Sequence, residues 1–162
     1  MTLSTGDSLP DATLLTIGEN GPETVKLSDK TSGRKVVIFA LPGAYTGTCT
    51  GAHVPSFIRT KDDFTAKGVD EIICLSVNDP FVMDTWSETT GAKAAGITML
   101  ADSASEFAKA TGLNFSAPPV GFYDRLKRSA MIVDNGTVTA LHIDENPGVC
   151  DVSAGENLLS EL

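Results

Sequence analysis

The chain has 162 residues, 41% of them hydrophobic and 20% charged, with a formal net charge of −9. That balance excludes a disordered chain and supplies enough apolar surface for a sizeable core, most simply one domain over residues 1–162. Binding to nucleic acid is disfavoured because it needs a basic face, and no apolar run is long enough to span a bilayer. The opening stretch MTLSTGDSLPDA has neither the basic patch nor the apolar segment of a secretory signal, so a cytoplasmic address is expected.

In chain order, ATLLTI and ETVKL flank GENGP and read as an amino-terminal strand pair. KVVIFAL, from Lys35, is a continuous apolar and β-branched run, which predicts a central strand covered on both faces. A helix is expected from about Cys49 to Lys67, carrying Val54, Phe57, Ile58 and Phe64, with a kink where Pro55 removes a backbone donor. EIICLSV gives a second buried strand, and the helix after it carries Met83 and Trp86 as packing residues. ITMLA is a third strand, and SASEFAKATG a short helix with Ser103 as N-cap and Gly112 as its stop. The cluster RLKRS reads as a solvated loop, SAMIVDNGTVTALHI as a hairpin turning at Asp134-Asn135-Gly136, and a last helix begins near Ser153.

This order predicts an α/β protein: a central mixed sheet flanked by helices, with an amino-terminal strand pair in front. A βαβ unit followed by a ββα unit is how a thioredoxin-like fold is assembled. Cys49 then lies where the chain leaves a central strand and enters a helix, the end of an open α/β sheet at which ligand sites form.

Three cysteines, Cys49, Cys74 and Cys150, are too few and too scattered for a secreted disulfide framework. With His53 and His142 the only histidines and no paired cysteine motif, no metal site is expected. A thiol in the first turn of a helix meets unpaired N–H groups and the positive end of the dipole, which favour thiolate, the reactive form. Thr46 precedes Cys49 in the loop, and Arg125 and Arg128 offer nearby positive charge. On position alone, a nucleophile and a small buried filler stand equal.

PGAYTGTC carries the PxxxTxxC signature of the peroxiredoxins at Pro42, Thr46 and Cys49. Together with CLSVNDPFVMDTW and RLKRSAMIVDNG, it makes nearly the whole chain resemble the type II, or peroxiredoxin-5-like, subfamily. The resemblance implies a thiol peroxidase without a prosthetic cofactor, a homodimer that acts on hydrogen peroxide and alkyl hydroperoxides. Cys49 is implied as the peroxidatic cysteine, cycling through sulfenic acid. Thr46 then holds the peroxide, Pro42 shields the thiolate, and Arg128 stabilises thiolate and developing oxygen charge. Arg125 matches a second basic position, of either functional or structural role. Gly47 stands where the family has proline, and Ser129 where an aromatic residue follows the arginine.

Positioning carries the rate in such a mechanism. Lowering a thiol pKa from about 8.5 to about 5.5 raises its thiolate fraction at neutral pH roughly thirtyfold. By analogy with disulfide exchange, the same change lowers intrinsic nucleophilicity roughly twentyfold. Oriented donors must supply the rest.

The sulfenic acid needs a second thiol. Cys74 matches a cysteine found in many subfamily members but reads as a buried strand residue. Cys150 lies near, though out of register with, the resolving cysteine of animal peroxiredoxin-5 proteins. External glutathione with glutaredoxin, or thioredoxin, is the third route. His53, four residues after Cys49, either assists ionisation or packs the helix, and no partner is evident for His142. The competing functions are a peroxide-sensing, redox-regulated interaction protein and a disulfide reductase; the second lacks the paired cysteine such chemistry uses.

Overall fold

The computed structural model describes residues 2–162. Nine strands and six helices follow in order: β1 (Thr13–Gly18), β2 (Gly21–Lys26), α1 (Leu27–Thr31), β3 (Lys35–Ala40), a π-turn (Cys49–His53) running into α2 (Val54–Ala66), β4 (Glu71–Ser76), α3 (Pro80–Thr90), α4 (Ala92–Ala95), β5 (Thr98–Ala101), α5 (Glu106–Thr111), β6 (Asn114–Ala117), β7 (Phe122–Leu126), β8 (Ser129–Asp134), β9 (Thr137–Ile143) and α6 (Gly155–Leu159). Seven strands make the central mixed sheet in the order β2-β1-β5-β4-β3-β8-β9, and β6 with β7 forms a separate hairpin.

The strands β3, β4 and β5 run parallel at the centre, with Phe39 opposite Cys74 and Cys74 opposite Met99. Alternate residues of a strand face opposite sides, so a strand buried twice is apolar throughout. Val37, Phe39 and Cys74 pack with Phe57, Phe64 and Trp86 on one side. Val36, Ile38, Ile73 and Leu75 pack with Leu27 and Phe107 on the other. The β8–β9 hairpin turns at Asn135 and Gly136, both with positive φ, as the Asn-Gly pair predicts.

Several expectations change. Around Pro55 the irregularity takes the form of the π-turn: Val54 N–H bonds Cys49 O, and Pro55 then occupies the first turn of α2, where a missing donor is harmless. Ser103 does not cap α5. Its hydroxyl donates to Asn78 O, while the Asp102 carboxylate accepts from the N–H groups of Phe107 and Ala108. Gly112 does end that helix, at φ 70°. Nor is RLKRS a solvated loop: Arg125 and Leu126 belong to β7 and Arg128 is buried, leading into β8. The helices α1 and α4 and the β6–β7 hairpin are additions; each is too short to carry a periodic pattern.

Candidate active site

Past the carboxyl end of β3 the chain turns back on itself and starts a helix. Thr50 N–H donates to Thr46 O at 3.0 Å, which puts Cys49 in the first turn, as its position between strand and helix suggested. Tyr45 adopts φ 64°, a left-handed conformation that costs a bulky residue about 1–2 kcal/mol. Asn78 helps impose it: its side-chain oxygen accepts from Ala44 N–H at 3.0 Å and from Ser76 Oγ at 2.6 Å.

Cys49 is buried, and so is Arg128. Arg128 Nη2 donates to Cys49 Sγ at 3.2 Å. The same nitrogen donates to Pro147 O at 2.9 Å and Nε to that oxygen at 3.1 Å, so one carbonyl receives a fork of two bonds. Nη1 points to His53 Nδ1 at 3.1 Å, and His53 Nε2 lies 3.1 Å from Ser153 O. A guanidinium only donates and a carbonyl only accepts, so His53 is the neutral tautomer with its proton on Nε2. Burial, and then the Arg128 charge, lower its pKa from 6.5 to about 3. His53 therefore reaches the sulfur through Arg128, a link its four-residue spacing from Cys49 did not reveal.

Thr46 Oγ1 donates to Gly43 O at 2.7 Å rather than turning its proton toward the sulfur. What it offers a ligand is lone pairs. Pro42 O accepts from Arg125 Nη1 at 3.0 Å, and the Arg125 guanidinium sits 5.0 Å over the Phe122 ring. Arg128 and Thr46, the neighbours of Cys49, line a pocket of about 320 Å³ that Pro42, Gly47, Thr48, Pro147 and Gly148 also bound. Its outer wall is apolar: Phe115, Ala117, Val120 and Phe122, all from the β6–β7 region, which carried no pattern in the sequence.

Cys74 is buried in β4, where desolvation and then the nearby Cys49 charge raise its pKa. Cys150 is half-buried, and burial raises its pKa too. His142 has two partners after all, Val152 O at 2.8 Å and Glu161 Oε1 at 2.9 Å. Asp144, Pro147 and Ser153 also belong to this neighbourhood and carried no sequence signal. Among the described residues no cluster of His, Cys, Asp or Glu is arranged to hold a metal ion.

The Redoxin family pattern matches residues 4–159. Peroxiredoxin-2E-2, a chloroplastic protein of Oryza sativa subsp. japonica, is 41% identical over 99% of this chain and 73% of its own. Peroxiredoxin-2D of Arabidopsis thaliana is 38% identical, with 99% and 98% covered. Among solved structures, reduced Prx3 from Vibrio vulnificus, in complex with H2O2, matches with a TM-score of 0.91 at 42% identity over 98% of each chain. Agreement of sequence and thioredoxin-like fold over nearly the whole length places the chain in the peroxiredoxin family, in its type II branch, and makes it a thiol peroxidase.

Proposed function

We propose that Cys49 is the peroxidatic nucleophile and that it reduces hydrogen peroxide and organic hydroperoxides. The contact between Arg128 Nη2 and Cys49 Sγ, at 3.2 Å in a buried site, carries this reading. The thiolate attacks the terminal peroxide oxygen; an S–O bond forms as the O–O bond breaks. Sulfur is oxidised to sulfenic acid, the peroxide is reduced, and the leaving oxyanion takes a proton to become water or alcohol. Arg128 stabilises thiolate and oxyanion, and Thr46 Oγ accepts from the peroxide hydroxyl. Pro42 helps shield the thiolate, and the apolar wall of Phe115, Val120 and Phe122 suits an organic tail.

Two equivalents of thiol close the cycle. The first condenses with the sulfenic acid, releasing water; the second displaces it as a disulfide. Glutathione with glutaredoxin, or thioredoxin, is the proposed external reductant, with Cys74 and Cys150 as internal alternatives, and no prosthetic group takes part. The protein works as one domain and, with three free cysteines, suits a reducing compartment such as the cytoplasm. No described helix is long and apolar enough to cross a membrane. The exposed rings of Tyr45, Phe81 and Tyr123, with Val120, support a homodimer whose contact lies near the active-site face; light scattering that finds only monomer rejects it.

Replacing Cys49 by Ser removes the nucleophile and should abolish peroxide consumption in a steady-state assay while the circular dichroism spectrum stays that of the parent. Retention of most activity overturns the assignment.

A further inference from the structure

We propose that Asp144 is a positioning residue for Cys49: its carboxylate gathers the 145–153 loop so that two carbonyls of that loop aim Arg128 at the sulfur, one directly and one through His53. The inference rests on Cys49 as nucleophile and deepens that reading.

Asp144 follows β9 directly. Its backbone N–H donates to Arg128 O at 2.9 Å, which sets it opposite Arg128, one step beyond the last hairpin pair, Ser129 with Ile143. The residue is only 7% exposed. Three successive N–H groups converge on it: Asp151 at 3.2 and 3.3 Å, Val152 at 3.0 Å and Ser153 at 3.3 Å. The Ser153 hydroxyl donates to the same carboxylate. Convergent backbone donors of this kind form an anion nest, and bonds to an ionised acceptor are the strong ones.

What the nest holds is the surface against which the site is built. Ser153 donates its N–H to Asp144 and receives the His53 ring proton on its carbonyl at 3.1 Å, so one residue links carboxylate and imidazole. Pro147, in the same loop, receives both bonds of the Arg128 fork. Four of the five guanidinium N–H groups are thus committed: two to Pro147, one to His53 and one to the sulfur. Loosening the loop frees the fork, and a donor aimed by two carbonyls becomes one that must find the sulfur by chance. Two other anchors hold the same loop, Thr48 Oγ1 donating to Gly148 O at 2.7 Å beside Pro147 and His142 Nδ1 lying 2.8 Å from Val152 O. Asp144 works from inside, where an asparagine would keep one acceptor oxygen and turn an NH2 group toward N–H donors.

The test uses the full chain as parent, Asp144→Asn, Arg128→Met and the double variant. Stopped-flow oxidation by H2O2 and the pH profile of Cys49 alkylation by iodoacetamide, resolved by peptide mass, are the readouts. Asp144→Asn should slow both reactions about tenfold or more and move the alkylation profile to higher pH, with the circular dichroism of the parent. In the Arg128→Met background the same change should matter less than about threefold, because the two residues act along one chain of contacts. A parent-like rate and profile in Asp144→Asn, or an undiminished loss on top of Arg128→Met, overturns the inference. If Asp144→Asn does not fold, Ser153→Ala decides: it removes one donor to the carboxylate and should give a loss of about fivefold with the same upward shift, and parent-like behaviour overturns the proposal. A parent that consumes no peroxide, or an active Cys49→Ser variant, would instead defeat the nucleophile assignment.

Discussion

Arg128 gathers the contacts of the candidate site at one side chain. A buried guanidinium is tolerated because its donors meet carbonyl, imidazole and sulfur acceptors. Arg128→Met keeps the stem and removes the charge, and should lower the second-order rate with H2O2 about a hundredfold or more in stopped flow; a value within threefold of the parent would show that the donor is dispensable. His53 makes a different prediction. Its pKa is about 3 in the folded protein and 6.5 in its absence, so as pH falls below 6.5 the unfolded chain takes up a proton that the native state refuses. Stability from the neutral ring is complete above pH 6.5 and is lost as pH falls through the window down to about 3. Within that window the loss approaches roughly 1.4 kcal/mol per pH unit from this residue. Urea unfolding across that range should show a shallower pH dependence for His53→Gln than for the parent; equal slopes would mean that the ring is not held neutral.

Between elements, the close approach of α6 to α2 keeps the loop before α6 in register with the π-turn. Gly155 N–H donates to Ser56 Oγ at 2.9 Å, and Ser56 Oγ donates to His53 O at 2.7 Å. A β-carbon on Gly155 would lie 2.6 Å from Ser56 O and 2.5 Å from Thr60 Oγ1, so the two helices must separate to admit it. Gly155→Ala should therefore cost about 1–3 kcal/mol in urea unfolding. Gly47 is the control. A β-carbon there would meet open space, and Gly47 is not among the glycines with positive φ. Gly47→Ala should therefore be neutral or stabilise by about 0.4–1 kcal/mol through the unfolded chain. Equal effects at the two positions would remove packing as the explanation.

At the scale of the whole molecule the question is how Cys49, if it is oxidised as proposed, would be resolved. Cys74 shares a core cluster with Cys49 but sits in β4, paired to β3 on one side and β5 on the other. A disulfide needs α-carbons within about 7 Å and a particular geometry. Cys74 feels the charge of Cys49, but burial disfavours the Cys74 thiolate, and β4 is held on both sides by its ladder. Cys150 is more accessible, yet its loop is tied to Asp144 and, through Pro147, to Arg128. Cys74→Ser and Cys150→Ser should both turn over with glutathione and glutaredoxin at rates near the parent. Mass spectrometry after one equivalent of peroxide should find Cys49 sulfenic acid or its glutathione adduct. A dominant internal disulfide, with turnover lost when its partner is replaced, would reverse this.

Sequence alone determined those features whose information is local. The runs KVVIFAL and EIICLSV are apolar throughout because both faces of the central strands are covered, and Asn135-Gly136 marks its hairpin because the turn needs positive φ. Pro42, Thr46 and Cys49 lie within one short stretch, and the resemblance their motif carries, with Arg128 in a second stretch, named the candidate nucleophile. Tertiary structure decided the rest. Cys49 and Arg128 are 79 residues apart and His53 and Ser153 are 100 apart, so neither pair shares a turn or a period that a pattern could register. Ser103 has the residue type of a cap and was expected to be one, but the path of the chain into α5 brings the Asp102 carboxylate to the N–H groups instead. Pro147 contributes a backbone carbonyl, an atom almost every residue has, so its identity carries no signal; its position does, and that comes from how the 145–153 loop packs against the hairpin and the π-turn.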